Sequence, residues 1–484
     1  MKKLSVLLGQ DFSPDVDIVS MSSDSRMIKS GSLFAAVPGA RTDGRSFIAE
    51  AIKLGAAAIL VPKGTPKVEM PAEQMLAWIE DENPRHLFSQ MAAKFYGAEP
   101  KNIAAVTGTN GKTSTVNFAL QIWEKLNLKG ASLGTLGIRG KNVDKDGVMT
   151  TPDPVTLHAH LADLSAAGIT HLALEASSHG LHQHRLDGVK IKAAGFTNLT
   201  RDHLDYHQTM DAYRTSKLRL FAEVIEPGGI AVINADTPEA QQIMAICADR
   251  KITCWTYGFK GKEFKLLDRE PTPHGQMLKL EFMGRRCSFT LPLVGAFQVM
   301  NVLCAAGLVA ALDQKKIDDI IDVLTRVEGV PGRLQLVQGH KKGAAVYVDY
   351  AHTPDALENI LTSLRPHVAG KLFCLFGCGG DRDRGKRPVM GGIAAKLADV
   401  VIVTDDNPRS EDPVEIRKAI LEGAPGAQEI DGRRNAIKYA IGMLEKGDIL
   451  VIAGKGHEQG QIFADRVDPF DDVTEADSAM REAS

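Results

Sequence analysis

The chain has 484 residues, too many for one hydrophobic core, so length alone calls for two to four domains. Apolar residues make up 44% and charged residues 24%, an ordinary soluble composition, and no apolar run reaches the roughly 18 residues of a spanning helix. With 57 Lys and Arg against 60 Asp and Glu, the formal net charge of −3 argues against a broad nucleic-acid-binding surface and leaves room only for local basic pockets.

Lys2 and Lys3 with the short apolar stretch after them imitate the start of a signal peptide. Asp11, Asp15 and Asp17 follow too soon and no small-residue cleavage site appears, so none is expected. Residues 1–98 carry short strand-like runs, SLFAAV and AAAILV, between Gly and Pro punctuation. From Asn102 strands alternate with helices. NIAAVT is followed by a Gly-containing loop and a helix expected over Thr113–Leu126, and HLALEAS, AAGFTN and GIAVINAD read as further strands. This is the signature of a parallel α/β sheet, placed at residues 99–332. The Pro/Gly break GVPGRLQ then opens a third segment, 333–484. There AVYVDYA, KLFCLFG, DVVIVTD and DILVIAG read as buried strands, and DALENILTSL, EIRKAILEG and RRNAIKYAIGML as helices. The expected fold is α/β in three domains: a small leader, a central phosphate-loop domain and a C-terminal Rossmann-like domain. The six cysteines (Cys247, Cys254, Cys287, Cys304, Cys374 and Cys378) make no CxxC pair or zinc-ligand spacing. They read as free thiols in a reducing cytoplasm.

The sharpest motif is AAVTGTNGKTST, residues 104–115. A strand runs into Gly108, Thr109, Asn110 and Gly111, then Lys112, Thr113 and Ser114 open a helix. Glycines let the backbone approach phosphate oxygens, and backbone N–H groups at a helix N-terminus supply positive potential. Lys112 adds a point charge at the terminal phosphates, and the Thr113 hydroxyl suits Mg²⁺. Val106 stands where the general phosphate loop has glycine. Alone, the loop specifies a bound triphosphate such as ATP, which an ATPase switch or a transporter subunit would share. Glu175 ends the strand HLALEAS, at the edge where open α/β sheets bind ligands, and His203 lies in the loop RDHLDYH after another strand. Either residue alone reads as a solvated loop group; together, in the phosphate-loop domain, they suggest metal ligands. Lys217 alone reads as a surface lysine on an amphipathic helix.

GTNGKT, EASSHGLHQHRLDG (175–188), FTNLTRDHLDYH (196–207), YRTSKLRLF (213–221) and VDYAHTPDAL (348–357) resemble, in order, motifs of the Mur ligase and folylpolyglutamate synthetase superfamily. The resemblance runs from Ser22 to near the end of the chain. It implies an ATP-dependent carboxylate–amine ligase working through an acyl phosphate, with Glu175 and His203 binding Mg²⁺. It also implies that Lys217 is carbamylated by CO₂, which converts a cation into an anionic oxygen donor. Lys112, Lys217 and His203 are then the expected catalytic residues.

Residues 22–47 resemble the family's UDP-binding leader. Ser23, Ser25, Arg26, Ala40, Arg41 and Thr42 are implied in that pocket, with Thr150, Thr151, Ser177, Gln183 and Arg185 on the peptide part of the substrate. Asn301, Arg333, His352 and Asp355 match positions near the nucleotide, although Asn301 sits in an apolar helix where packing serves as well. DNPR (406–409) and GCGGDRDRGKR (377–387) are similar to the branch that adds meso-diaminopimelate. Arg382, Asp406, Asn407, Pro408, Arg409, Gly454 and Glu458 are implied contacts to that amino acid. Read from the residues, DNPR is also a turn shaped by Pro408, with Asn407 capping the next helix. The implied partners are ATP, UDP-MurNAc-L-Ala-D-Glu and meso-diaminopimelate, met by a cytoplasmic monomer that engages neither nucleic acid nor membrane. A lysine-adding ligase of the same family is the nearest rival, and a phosphate-loop switch or transporter subunit the rival of another class.

Overall fold

Unbroken apolar strands build each large sheet of the computed structural model, which describes residues 1–39, 42–68, 75–147, 149–313 and 317–482. A parallel strand covered by helices on both faces has no polar side, and its sequence reads accordingly. The chain divides into two compact units, Met1–Phe264 with Leu303–Ile320, and Lys265–Val302 with Ile321–Ser484. No helix among the described residues is long and apolar enough to cross a membrane.

The first unit contains, after a short N-terminal helix, four parallel strands side by side: β1 (Ser20–Ser22), β2 (Ser32–Ala35), β3 (Ala58–Pro62) and β4 (Ala77–Asp81). Helices α1 (Ile48–Lys53) and α2 (Pro84–Tyr96) accompany them. The central sheet follows with β5 (Asn102–Thr107), α3 (Lys112–Lys125), β6 (Gly130–Gly134), β7 (Gly137–Arg139), α4 (Pro154–Ala166), β8 (His171–Glu175) and α5 (Ser178–His182). It continues through β9 (Ile191–Phe196), α6 (Leu204–His207), α7 (Met210–Arg219), β10 (Ile230–Asn234), α8 (Ala240–Asp249) and β11 (Thr253–Gly258). These strands lie in the order β11-β10-β9-β5-β8-β6-β7, parallel except for β7 at the edge. The chain builds outward on one side of β5 and then on the other. Loops leaving the carboxyl ends of β5, β8 and β9 therefore gather at one edge of the sheet, where open α/β sheets bind ligands.

In the second unit an antiparallel hairpin, β12 (Gly275–Phe282) and β13 (Arg285–Leu291), precedes a sheet that repeats the α/β rhythm. Its elements are β14 (Gln335–Val337), β15 (Ala345–Asp349), α9 (Pro354–Leu364), β16 (Leu372–Phe376), α10 (Lys386–Leu397) and β17 (Val400–Val403). Then come α11 (Pro413–Leu421), β18 (Gln428–Glu429), α12 (Arg433–Met443), β19 (Ile449–Ala453) and α13 (Asp472–Glu482). The order is β14-β15-β19-β16-β17-β18, with β14 antiparallel. Four helices across the chain share one start signal: an Asn, Asp or Thr side chain accepts backbone N–H bonds just before a proline whose own missing N–H costs nothing there. These are Asn83-Pro84, Asp153-Pro154, Thr353-Pro354 and Asp412-Pro413.

Beneath the second sheet's carboxyl edge lies a wholly buried ion pair. Arg433 Nε and Nη2 donate to Asp472 at 2.7 and 2.6 Å, and both side chains are 0% exposed. The other guanidinium contacts go to the carbonyls of Ala453 at 3.0 Å and Asp405 at 3.3 Å, which joins α12 and α13 to the ends of β19 and β17. Removing one partner strands the other charge. Asp472→Ala is expected to lower unfolding free energy by about 3–5 kcal/mol, and Arg433→Met with Asp472→Leu to recover most of that loss. Urea unfolding of both proteins reads this out, and a single variant within about 1 kcal/mol of wild type would show that the pair carries no such load.

Candidate active site

Val106 lies inside β5, fully buried, so the strand runs on to Thr107 and the phosphate loop opens only at Gly108. A glycine at 106 therefore has no turn to serve. Gly108 (φ +148°) is where close approach is enforced: a Cβ there would lie 1.9 Å from Thr197 Oγ1. The loop is laced to the segment after β9. Thr109 N donates to Asn198 O at 2.8 Å, Asn110 N to Asn198 Oδ1 at 2.9 Å, and Thr197 Oγ1 to Asn110 O at 2.6 Å. Gly111 (φ +87°) turns the chain into α3. Thr113 and Ser114 are buried in its first turn.

Lys217 is not the surface lysine that its helix alone suggests. It is 1% exposed on α7, with Nζ donating to Gly108 O at 2.6 Å and lying 4.5 Å from the centre of the Tyr213 ring. Lys112 Nζ reaches the same carbonyl at 3.0 Å and Thr109 O at 2.9 Å. Burial, and then the neighbouring Lys112 charge, hold Lys217 well below the ordinary lysine range, against a smaller opposing pull from Asp202. His203, in the left-handed region (φ +52°), receives a similar push: burial lowers its imidazole, Asp202 opposes, and Lys112 and Lys217 add to the lowering. Its ring stands edge-on to His179 at 4.9 Å, in an aromatic cluster that includes Tyr206, His207 and Tyr213.

Glu175, at the end of β8, is 1% exposed and takes Thr135 N–H on Oε1 at 2.8 Å and the Thr135 hydroxyl on Oε2 at 3.3 Å. Gly134 makes room for it, since a Cβ at 134 would lie 2.1 Å from Oε1. Thr150 Oγ1 is 3.0 Å from Thr135 Oγ1, and Thr151 Oγ1 donates to Glu175 O at 2.8 Å while accepting Ser177 N at 3.0 Å. Arg185 joins the group by donating to Thr151 O at 2.6 Å and to Gln183 Oε1 at 2.7 Å. Ser177 also caps α5. Thr150, Thr151, Ser177, Gln183 and Arg185 thus form one hydrogen-bonded group around Glu175. Thr135, Thr197, Asn198 and Tyr213 hold this site too, and sequence reasoning missed them because each is an ordinary polar residue whose partner is distant in the chain.

In the leader, Ser23, Arg26 and Thr42 are exposed beyond the carboxyl ends of β1 and β2, whereas Ser25 is buried with its hydroxyl 3.4 Å from Glu50 Oε2. Arg26 pairs with Asp24 at 2.6 Å. Ala40 and Arg41 lie outside the described residues.

In the second unit three loops at the carboxyl edge meet. Gly380 N donates to Asn407 O at 2.9 Å, and Arg409 Nη1 to Gly380 O at 2.9 Å, joining the loops after β16 and β17. Asn407 Nδ2 donates to Glu458 Oε2 at 2.9 Å, which brings in the loop after β19. Gly454 (φ +121°) leaves space for Asp406, whose Oδ2 would lie 2.6 Å from a Cβ at 454. Pro408 shapes the turn, with its carbonyl accepting Glu411 N at 3.1 Å. Asn407 does not cap the next helix: Asp412 does, with Oδ1 accepting Val414 N at 2.9 Å. Five residues separate Asn407 from α11, and Asn407 turns inward instead. Arg382 is exposed at the rim, its Nη1 3.3 Å from Asp381 O. Arg333 stacks on Tyr350 at 4.6 Å, and His352 and Asp355 are exposed around the start of α9. Asn301, buried, donates to Gln298 Oε1 at 3.2 Å, a packing contact within its helix.

Residues 17–96 match the Mur ligase family catalytic domain, 106–309 the Mur ligase middle domain, and 332–456 the Mur ligase glutamate ligase domain. A Caulobacter vibrioides protein named UDP-N-acetylmuramoyl-L-alanyl-D-glutamate--2,6-diaminopimelate ligase is 50% identical across 99% of both chains. A protein of the same name from Zymomonas mobilis is 49% identical over 99% of both. A solved structure carrying that name superposes with a TM-score of 0.73 at 33% identity, covering 99% of each chain. A folylpolyglutamate synthase from Mycobacterium tuberculosis shares the fold at 20% identity, with a TM-score of 0.62 over 80% of this chain and 92% of that one.

If the loop holds phosphates, its contact with Thr197 should be indispensable. Gly108→Ala is expected to weaken nucleotide binding at least about tenfold, roughly 1.4 kcal/mol, with the far-ultraviolet circular dichroism unchanged. Calorimetric titration with ADP measures this, and undiminished affinity would dissociate the loop from phosphate binding.

Proposed function

The chain belongs to the Mur ligase family, and from that premise we propose that it joins meso-diaminopimelate to the D-glutamate γ-carboxylate of UDP-MurNAc-L-Ala-D-Glu with hydrolysis of ATP to ADP and phosphate. The observation that carries this reading is the meeting of three strand-end loops at DNPR, in a chain similar along its whole length to relatives named for that reaction. We set the domain limits at 1–98, 99–332 and 333–484, and place the reaction in the cytoplasm with the chain as a monomer.

In this reading the γ-carboxylate attacks the terminal phosphorus of ATP, the bond to the β,γ-bridging oxygen breaks, and ADP leaves. The diaminopimelate amine, as the free base, then attacks the acyl carbon, phosphate leaves with the C–O bond pair, and the nitrogen loses a proton. Two anions must meet in the first step, so positive potential at the phosphate loop does most of the work. Lys112 and the N–H groups opening α3 supply it. The buried carboxylate of Glu175, the Thr113 hydroxyl and the His203 imidazole form a donor set suited to Mg²⁺, whose charge would further screen the phosphates. Lys217 fits carbamylation because CO₂ adds only to the neutral amine, and burial beside Lys112 lowers its proton affinity. At the amine pocket, Arg409 spends one nitrogen on Gly380 O and keeps the rest of its fork for the distal carboxylate of diaminopimelate, while Glu458 suits an ammonium.

Lysine lacks that distal carboxylate and would leave Arg409 unmatched. The wild type is expected to prefer meso-diaminopimelate over L-lysine by a factor on the order of 10³ or more in kcat/KM, and Arg409→Ala to lose most of that preference. Product analysis by mass spectrometry in ATP, Mg²⁺ and the nucleotide-peptide tests both points. Efficient lysine addition would overturn the substrate, and AMP with pyrophosphate would overturn the acyl phosphate.

Lys217 has its own readout. With ¹³CO₂, wild type should show a carbamate carbon resonance that Lys217→Ala lacks, and that variant should be inactive and partly restored by a short-chain carboxylate. Full activity in Lys217→Ala would remove the carbamate from the mechanism.

A further inference from the structure

Lys455 lies between Gly454 and the Glu458 loop and is 0% exposed, although it carries an ammonium. Its Nζ donates to Asn407 Oδ1 at 2.8 Å and to Glu458 Oε2 at 3.1 Å. Asn407 closes the triangle by donating from Nδ2 to the same Glu458 oxygen at 2.9 Å, and its Oδ1 also accepts Ile462 N at 3.0 Å. The two donors to Asn407 Oδ1 settle which way the amide points, because a flipped amide would set Nδ2 against both of them. Glu458 Oε2 in turn receives two donors, one charged. That fixes the carboxylate and leaves Oε1 as the oxygen to meet a ligand.

We propose that Lys455 is a positioning residue for the amine pocket, setting Asn407 and Glu458 in the orientation that receives the amino-acid substrate. The inference rests on the reading of this loop cluster as the amine site. A buried lysine without an acidic or carbonyl partner is expensive, and here both partners belong to the pocket, so the cost of burial is met only while the pocket is formed. The ammonium also offsets the charge of Glu458, so the pocket holds an ordered carboxylate in place of one swinging toward solvent.

The test compares wild type, Lys455→Met, Glu458→Gln and the double variant. Lys455→Met should raise KM for meso-diaminopimelate at least tenfold while KM for ATP and for the nucleotide-peptide changes less than twofold. Its effect should not add to that of Glu458→Gln, since both act through one carboxylate. Equal losses in all three KM values, or additive losses, would overturn the proposal. A second readout needs no substrate: the Asn407 side-chain amide, followed by ¹⁵N-asparagine labelling and assigned with Asn407→Asp, should exchange with solvent at least tenfold faster in Lys455→Met at unchanged Tm. Unchanged exchange would sink the positioning role. If wild type takes no meso-diaminopimelate, the proposed reaction fails while this exchange experiment still decides Lys455. Should Lys455→Met not fold, Lys455→Gln removes the charge beside Glu458, and an amine KM equal to wild type in that protein would likewise overturn the proposal.

Discussion

A single backbone carbonyl, that of Gly108, receives the ammonium ends of both Lys112 and Lys217. Two cations within reach of one oxygen, one of them wholly buried, is an arrangement that water would ordinarily dissolve. Burial and the Lys112 charge both lower the proton affinity of Lys217, which eases the conflict. The surrounding structure serves that constraint. Thr197 and Asn198 fasten the loop, the Tyr213 ring faces the Lys217 nitrogen, and α7 is placed to deliver the side chain from beyond β9. A buried lysine with lowered proton affinity is also the better nucleophile, and on the proposed reading its reaction with CO₂ turns an awkward cation into a metal-binding anion.

The same design appears twice along the chain. The two large α/β sheets gather loops at the carboxyl ends of their strands, and in each a glycine is set against a carboxylate of the candidate site: Gly134 against Glu175, Gly454 against Asp406. The reason is packing. A carboxylate folded back over the end of its sheet leaves no volume for a Cβ at a nearby strand end, the next strand for β8 and β6 and the next but one for β17 and β19, and the backbone must supply the space. The buried Arg433–Asp472 pair underlies the second of these edges and holds two of its loops from below.

Chemistry divides between the units in the proposed mechanism. The first offers positive potential and oxygen donors for phosphates and a hard cation; the second offers a guanidinium, an ordered carboxylate and a buried ammonium for a zwitterionic amino acid. Selectivity in such a pocket comes from leaving charges unmatched by the wrong ligand, which requires that the pocket groups keep their orientation when empty. The Lys455, Asn407 and Glu458 triangle provides that order.

Much was legible in the sequence. Parallel strands such as HLALEAS and DILVIAG announce themselves because burial on both faces demands continuous apolar runs, and the phosphate loop does so because phosphate contact needs glycine, lysine and a helix start in register. The longer motifs carried the family. What the sequence left open follows from a common cause, that a side chain's environment is set by residues far away in the chain. Lys217 looked like a surface residue on an unremarkable helix until the fold buried it against Gly108. Asn407 looked like a helix cap, but Asp412 already filled that role and freed it to face Glu458. Lys455, Thr135 and Tyr213 carried no signal at all, because a lysine, a threonine or a tyrosine gains its meaning from partners that only the meeting of strand ends supplies. Sequence by itself determined which segments become strands and helices and which loop carries the glycine, lysine and helix-start pattern, since those depend on local periodicity and backbone freedom. Tertiary structure alone decided which polar groups are dry, because dryness belongs to the neighbours and not to the residue.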